Sequence, residues 1–170
     1  MDFNKFSLSF EEIIETDIPE LTTVMTRAFD DDARKHLGLE RSGPEGYDNG
    51  GFFRKWLFGY EETVGYKAVA QGMIVGAAIA WIFEHGKNVL GTIFVDSPYQ
   101  DRGVGTSLWQ FIEKTHSDTT IWRLGTPSWA IKNHYFYETK CGFHRMKAEA
   151  VAESTDDSWV YQKKMRQTRM

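Results

Sequence analysis

The chain has 170 residues and a net charge of −4, which suits a single domain over residues 1–170 with its own hydrophobic core. It has no basic block that would favour a nucleic-acid partner, and no apolar run long enough to cross a membrane. The first residues lack the apolar stretch of a signal peptide, so we expect a cytoplasmic protein without a membrane partner. The single cysteine, Cys141, excludes an internal disulfide, and we interpret it as a packed core thiol.

Hydrophobic periodicity and turn residues divide the chain into strands and helices. In the first part they predict a strand at 7–14, helical stretches at 18–29 and 33–39, a loop at 42–51 and a short aromatic helix or lid at 52–60. Then follow strands at 66–71, 73–83 and 89–95, a helix at 103–116, a strand at 119–125, a helix carrying Tyr137, and strands at 146–152 and 159–164 around a turn at 154–157. Asp17 and Glu20 resemble a capping box that begins the first helix. This order predicts an α/β architecture, a mixed sheet with helices on both faces.

The junction between one strand and the next helix carries the strongest functional signal. An apolar strand ends at Val95, and a segment with Arg102, Gly103 and Gly105 opens directly into a helix. Such a junction points unpaired backbone N–H groups at one place, with the positive end of the helix dipole behind them. Glycines let an anion approach the backbone without a Cβ in the way, and arginine can add a charge-assisted contact. The pattern therefore indicates an anion site, and the usual anion is a phosphate.

Three kinds of phosphate loop compete for this segment. A P-loop needs a lysine where Thr106 stands, and a dinucleotide-binding loop needs a small residue where Leu108 stands. The third pattern, Gln-x-x-Gly-x-Gly, is met by Gln100, Gly103 and Gly105. The segment resembles the acetyl-CoA loop of the GCN5-related N-acetyltransferases (GNAT), whose amides hold the CoA pyrophosphate.

A second segment carries the same resemblance. Residues 133–143 are similar to the family's helix that ends in Phe-Tyr, a short spacer and Gly-Phe, with Tyr137 and Gly142 in the corresponding places and four residues between them. Asn133, Tyr137 and Lys140 are spaced to share one helix face. The resemblance implies that this face looks into the cleft crossed by CoA. It also implies the family's fold, a mixed, mostly antiparallel central sheet flanked by helices on both faces.

The resemblance further implies acetyl-CoA as cosubstrate and no metal. The cofactor-binding residues that it implies are Phe94, Val95, Gln100, Asp101, Arg102, Gly103, Val104, Gly105, Thr106, Asn133 and Tyr137. It implies direct transfer of the acetyl group to a primary amine. A backbone N–H on the strand ending at Val95 would hold the oxyanion, and Tyr137 would protonate the departing sulfur. Asp96 is a candidate general base, and a water relay is an equally good alternative.

The acceptor is less well determined by the sequence. The candidate substrate-binding residues are Asp32, Trp81 and Glu84. The acidic group formed by Asp30, Asp31 and Asp32 favours a cationic amine, such as a polyamine, an aminoglycoside or a lysine side chain, if it lies near the cleft. The alternative is a solvated acidic helix end. The tryptophans at 56, 81 and 129 could line an apolar pocket, although core packing explains them equally well.

The residues leave other questions open. The acceptor could be a small molecule or a peptide, and the chain could form a homodimer. The alternative to an enzyme is a non-catalytic acyl-CoA-binding sensor or regulatory module with the same fold.

Overall fold

The computed structural model describes residues 7–147 and 158–166. The strands in this part are β1 (Leu8–Glu12), β2 (Thr63–Ala70), β3 (Met73–Trp81), β4 (Lys87–Val95), β5 (Ile121–Pro127), β6 (His144–Arg145) and β7 (Ser158–Lys164). The helices are α1 (Ile18–His36), α2 (Gly51–Trp56), α3 (Val104–Thr115) and α4 (Ile131–Tyr135), and α4 continues as a π-helical turn over Phe136–Lys140. The strands form one sheet in the order β1-β2-β3-β4-β5-β7-β6.

The parallel pair at the centre of the sheet differs from its neighbours. The other neighbouring strands run antiparallel, whereas β4 and β5 run parallel and pair only at Lys87 with Ile121, Asn88 with Trp122, and Val89 with Arg123. Beyond these pairs the two strands are not joined within the described residues, so a gap opens towards their C-terminal ends.

Alternating side chains of β3 bind helices to both faces of the sheet. Ala77 and Ile79 pack in one apolar cluster with α1 and α2, whereas Ala78 and Ala80 pack in a second cluster with α3. The alternation follows from the two-residue repeat of a strand. The mixed, mostly antiparallel sheet with helices on both faces confirms the predicted fold class.

The first helix differs from the prediction at its start. The two predicted helical stretches form one helix, α1, but the predicted capping box is wrong. The carboxylate of Asp17 binds Nζ of Lys67 at 2.8 Å, and Glu20 accepts a hydrogen bond of 2.7 Å from the N–H of Ile74. Asp17 also accepts the N–H of Ile14 at 2.9 Å in the turn before α1. Neither acid caps α1 itself, because a lysine and a strand amide compete for their carboxylates.

The C-terminal hairpin is described only in part. Residues 148–157 lie outside the described residues, and with them most of the predicted strand at 146–152 and the whole predicted turn at 154–157. Met146 donates its N–H to Val160 O at 2.8 Å, so pairing with β7 continues one residue past β6.

Candidate functional site

A cavity of about 450 Å³, called here the cleft, adjoins the end of β4 where β5 is no longer paired with it. Its wall includes most of the residues that the sequence predicts for the site. These are Asp32 of α1, Phe94 and Val95 of β4, Gln100, Asp101, Gly103, Val104, Gly105 and Thr106 of the following loop and α3, and Asn133 and Tyr137 of α4 and its π-helical turn. The sheet's divergence thus brings residues from four segments around one space.

Backbone donors of β4 face the cleft. Asp96 donates its N–H to Val75 O at 2.8 Å, towards β3. Because N–H groups of an antiparallel strand alternate in direction, those of Val95 and Ile93 point the other way, towards the gap. Val95 O accepts a bond of 3.0 Å from Nε2 of Gln100 on that side. The strand therefore offers amide donors where a carbonyl oxygen could bind.

The loop after β4 has the backbone geometry of an anion site. Asp101 and Gly103 have φ angles of +63° and +83°, and the second of these residues is the N-cap of α3. The first helical hydrogen bond of α3 joins the N–H of Ser107 to Gly103 O at 3.0 Å. The N–H groups at positions 104–106 precede that bond, so they have no helical acceptor and can bind an anion in the cleft.

The two glycines of the loop serve different purposes. A Cβ at Gly103 would meet nothing within 4 Å, so its positive φ is the reason for glycine there. A Cβ at Gly105 would lie 3.2 Å from Cζ of Phe136. Glycine at position 105 thus lets α3 approach the π-helical turn closely, a contact that the sequence did not predict and that stands beside the predicted role of leaving room for phosphate.

Tyr137 lies in the cleft wall with its phenol protonated. Its ring packs on Phe143 and Tyr161 at centroid distances of 6.0 and 6.1 Å. Its hydroxyl forms no hydrogen bond with the described residues, and burial raises the pKa of Tyr137 well above its usual range. The hydroxyl is therefore a free donor at neutral pH.

A buried hydrogen-bond chain fixes the helix that carries Tyr137. The hydroxyl of Tyr161 lies 2.9 Å from Nδ1 of His134 and donates to Oε2 of Glu138 at 3.0 Å. His134 and Glu138 are four residues apart, so both reach β7 from the same side of the helix. This chain holds the helix, and Tyr137 with it, against β7.

Two lysines of the cleft wall are absent from the predicted binding set. Lys132 Nζ lies 3.2 Å from Oε1 of Gln100 and 3.3 Å from Oδ2 of Asp101, so it bridges α4 and the loop. Lys140 also lines the cleft. The spacing of Lys140 with Asn133 placed it on the cleft-facing side of the helix, but no sequence signal pointed to Lys132.

Four predicted residues do not line the cleft: Asp96, Arg102, Glu84 and Trp81. Asp96 is buried behind the cleft, where both carboxylate oxygens bind Arg27 at 2.6 and 2.7 Å. The guanidinium of Arg102 lies over the ring of Tyr99, 5.9 Å from its centroid. Glu84 is exposed in the turn between β3 and β4 and is not among the described residues that line a cavity.

Trp81 belongs to a second cavity, of about 380 Å³, on the α2 side of β4. We call it the aromatic pocket because Phe52, Trp56 and Trp81 line it, together with Ile79 and Thr92. Two of the three tryptophans considered for an apolar pocket therefore meet, and Trp129 is exposed elsewhere.

The acidic residues of α1 do not act as one group. Asp30 accepts hydrogen bonds from Tyr47 and Arg41, and Asp31 pairs with Lys35 at 2.9 Å. Asp32 lines the cleft, and burial raises its pKa, although the positive charges nearby oppose this shift. Only one of the three carboxylates thus faces the cleft.

Membrane and metal features are absent from the described residues. No helix in the described ranges has the length and apolar character needed to span a bilayer. The same ranges contain no group of three or more His, Cys, Asp or Glu side chains arranged to hold a metal ion.

Comparison with known proteins identifies the family. The sequence model of the acetyltransferase (GNAT) family matches residues 22–143. The uncharacterized protein YrkN of Bacillus subtilis (strain 168) is 32% identical over 131 residues, which cover 76% of this chain and 69% of that protein.

Solved structures share the fold. An acetyltransferase from Thermus thermophilus superposes with a TM-score of 0.75 at 14% identity, covering 94% of this chain and 97% of its own. The PaiA N-acetyltransferase of Thermoplasma acidophilum in complex with coenzyme A gives a TM-score of 0.71 at 14% identity, with coverage of 93% and 99%. A GNAT-family acetyltransferase from Staphylococcus aureus Mu50 gives 0.70 at 19% identity, with coverage of 94% and 100%. With the motif positions around one cleft, these matches show that the chain belongs to the acetyltransferase (GNAT) family, as its sequence predicts.

Proposed function

We propose that the protein is an acetyl-CoA-dependent N-acetyltransferase that acetylates a primary amine of a small molecule or peptide by direct attack. Family membership supports acyltransfer, and the coenzyme A complex of the PaiA enzyme supports the cosubstrate. The observation that carries the proposal is the position of Tyr137. Its protonated hydroxyl, which has no hydrogen-bond partner in the part of the chain that the structure describes, lines the same cleft as the amides at the start of α3.

The donor's phosphates are assigned to the loop side of the cleft. The amides at 104–106 and the dipole of α3 suit the pyrophosphate. Lys132 in the cleft wall can give up its bonds to Gln100 and Asp101 and bind a phosphate oxygen instead. The loss in free energy is small, since both bonds are exposed and longer than 3 Å. Asn133 and Thr106 would make further polar contacts with the donor from the cleft wall.

The chemical step needs one donor on each side of the thioester. The amine nitrogen attacks the carbonyl carbon, and negative charge develops on the oxygen, which the N–H of Val95 or Ile93 can bind. As the C–S bond breaks, the sulfur takes the proton of Tyr137, and the proton lost by the nitrogen returns to the phenolate through water. The raised pKa of Tyr137 keeps the phenol protonated until the C–S bond breaks.

A positioning role suits Asp96 better than that of general base. A free amine has a pKa of about 10.4, so a base must take its proton before attack. Both carboxylate oxygens of Asp96 are bound by Arg27, and the side chain is not among the described residues of the cleft wall. We assign proton removal to a water relay and the support of the β4 end to Asp96.

Acceptor binding is assigned to the α1 and α2 side. Asp32 lies in the cleft and offers a negative charge to an incoming ammonium group. Trp81 lies on the same side of the sheet in the aromatic pocket. Glu84, exposed at the end of the β3–β4 hairpin, would act only on the approach of a cationic acceptor.

A charge placed in the anion site tests this function. Thr106→Glu puts a carboxylate among the loop amides, and an acidic residue in the first helical turn is tolerated by the fold. Calorimetry should give micromolar binding of acetyl-CoA to the parent and a loss of about 100-fold or more in the variant. Gln110→Glu, on the exposed side of α3, adds the same charge and should bind as the parent does.

Turnover separates the enzyme from a sensor. Thiol release from acetyl-CoA in the presence of a panel of amines is expected for the enzyme. Binding of acetyl-CoA without thiol release would indicate the non-catalytic module instead. A folded parent that does not bind acetyl-CoA would overturn both.

A further inference from the structure

We propose that the aromatic pocket selects the acceptor, and that the preferred acceptors are arylalkyl amines whose amino group lies two or three carbon atoms from an aromatic ring. This inference rests on the proposed function and narrows its substrate class. It requires that the pocket fit a ring, that its walls be fixed, and that the pocket lie one short linker away from the cleft.

The size and lining of the pocket fit an aromatic ring. Three half-buried aromatic side chains, Phe52, Trp56 and Trp81, stand around a floor that includes Ile79. An apolar cavity of about 150 Å³ already binds benzene, so about 380 Å³ admits one ring or two fused rings. Aromatic pairs gain stability in stacked or edge-to-face contacts beyond the area that they bury.

The walls of the pocket are held in place before any ligand arrives. Tyr60 stacks on Trp56 at 5.7 Å and 11°, and it contacts Trp81 at 4.9 Å. Trp81 also contacts Trp56 at 6.4 Å and stacks on Phe83 at 6.2 Å and 15°. Because neighbouring rings already restrict both indoles, a bound ring would cost little side-chain entropy.

The pocket and the cleft adjoin the same face of β4. Thr92 lines the pocket and Phe94 lines the cleft. Residues two apart on a strand point to the same face and are separated by roughly 7 Å. A ring in the pocket and an amine in the cleft would therefore be joined by a chain of two or three carbon atoms.

The distribution of charge favours such an amine over a polycation. The pocket is bordered by one acid and one base, Glu45 and Lys55, so it offers no net negative charge. Asp30 and Asp31 are held by partners within the chain. Of the two acids in the described cleft wall, Asp101 belongs to the phosphate loop and pairs with Lys132, so Asp32 is the one on the acceptor side for one ammonium group. An acceptor with one amine and one apolar ring matches this arrangement.

A matched set of amines tests the proposal. The rates of thiol release are compared for 2-phenylethylamine, 2-(indol-3-yl)ethylamine, hexylamine, spermidine and a lysine-containing peptide, with acetyl-CoA saturating. We expect kcat/KM to be about tenfold to a hundredfold higher for the two aryl amines than for hexylamine. A preference for spermidine or the peptide, or equal rates for hexylamine and the aryl amines, would overturn the proposal.

Variants of the pocket locate the effect. Trp81→Leu should lower kcat/KM for the aryl amines about tenfold more than it lowers kcat/KM for hexylamine. Trp56→Leu, on a different element, should do the same and serves if the first variant does not fold. Trp129→Leu removes an exposed indole that is not among the described residues of either cavity, and it should change nothing. An equal loss for all amines would contradict selection by the pocket.

Binding keeps the two proposals separate. Calorimetric titration of 2-phenylethylamine into the complex with CoA should show binding that Trp81→Leu weakens. If acetyl-CoA binds and no aryl amine binds or reacts, the pocket proposal fails and the proposed function stands. If acetyl-CoA does not bind the folded protein, the proposed function fails. In that case the aryl amine is titrated into the protein alone, and binding that Trp81→Leu does not weaken would overturn the pocket proposal as well.

Discussion

Arg27 and Asp96, 69 residues apart, form an ion pair with two hydrogen bonds, Nε to Oδ1 at 2.6 Å and Nη2 to Oδ2 at 2.7 Å. The pair joins α1 to the end of β4 beside the cleft. The Asp96 side chain is 6% exposed, whereas that of Arg27 is 48% exposed. The guanidinium is therefore partly hydrated, whereas the buried carboxylate relies on Arg27 to balance its charge.

Removal of Arg27 should destabilise the protein. Arg27→Leu leaves the buried carboxylate of Asp96 without a charged partner, and we expect a loss of about 1–3 kcal/mol in the free energy of unfolding, moderated by water that can replace the exposed guanidinium. Urea denaturation measures it. Arg34→Leu removes a half-exposed partner that lies 3.8 Å from Asp31 and should cost under about 0.5 kcal/mol. Equal losses in the two variants would contradict the role of the pair.

Loss of the Tyr137 hydroxyl should slow transfer without weakening donor binding. Tyr137→Phe keeps the ring contacts with Phe143 and Tyr161 but removes the proton that the sulfur takes. We expect kcat to fall about 100-fold with the Kd for acetyl-CoA unchanged. The check is single-turnover kinetics beside calorimetry. Unchanged kcat would remove the general-acid assignment.

Acid should weaken the hydrogen bonds that join Asp30 of α1 to Arg41 and Tyr47 in the loop after α1. Burial alone would raise the pKa of Asp30, but hydrogen bonds from Tyr47 and Arg41 outweigh it and hold the pKa below its usual value. A lowered folded-state pKa contributes stability that is present above the unfolded pKa of about 4 and is lost as the pH falls through the folded value. The Tm difference between the parent and Asp30→Asn should therefore shrink below about pH 4. Asp118→Asn, at an exposed position, is the control.

Cys141 should not react in the native protein. Its side chain is buried, and burial raises the pKa of the thiol to about 12, so the thiolate is scarce at pH 8. A disulfide reagent at pH 8 should label it only after unfolding in guanidinium. Rapid labelling of the folded chain would show that the segment around the π-helical turn opens. Slow labelling also means that thiol-release assays carry no background from the protein.

Local motifs were predictable from the sequence, and contacts between distant segments were not. The positions of Gln100, Gly103 and Tyr137 follow from short patterns, because a strand, a loop and a helix start are local structures. The close contact of Gly105 with Phe136 was not predicted, since Phe136 comes from another helix. Asp17 was misjudged because Lys67, on β2, competes with the helix backbone for its carboxylate.

The residues around the two cavities also show that contacts between distant segments could not be predicted from the sequence. The sequence offers three tryptophans, but only the register of β3 and the position of α2 bring Trp56 and Trp81 together and leave Trp129 apart. The acidic group at 30–32 looked uniform because the sequence does not contain the positions of Arg41, Tyr47 and Lys35 around it. Chemistry at single positions can be predicted from residue type, whereas partner choice depends on the fold.

The three residue pairs between β4 and β5 have a mechanical consequence. The sheet has a four-stranded part that ends at β4 and a three-stranded part that begins at β5. The described backbone pairs them over a short stretch at the N-terminal ends of β4 and β5. A long, flexible molecule bound in the open part would supply the cross-links that the backbone does not make there. While bound, it would restrict the motion of the two parts of the sheet relative to each other, and its release would restore that motion.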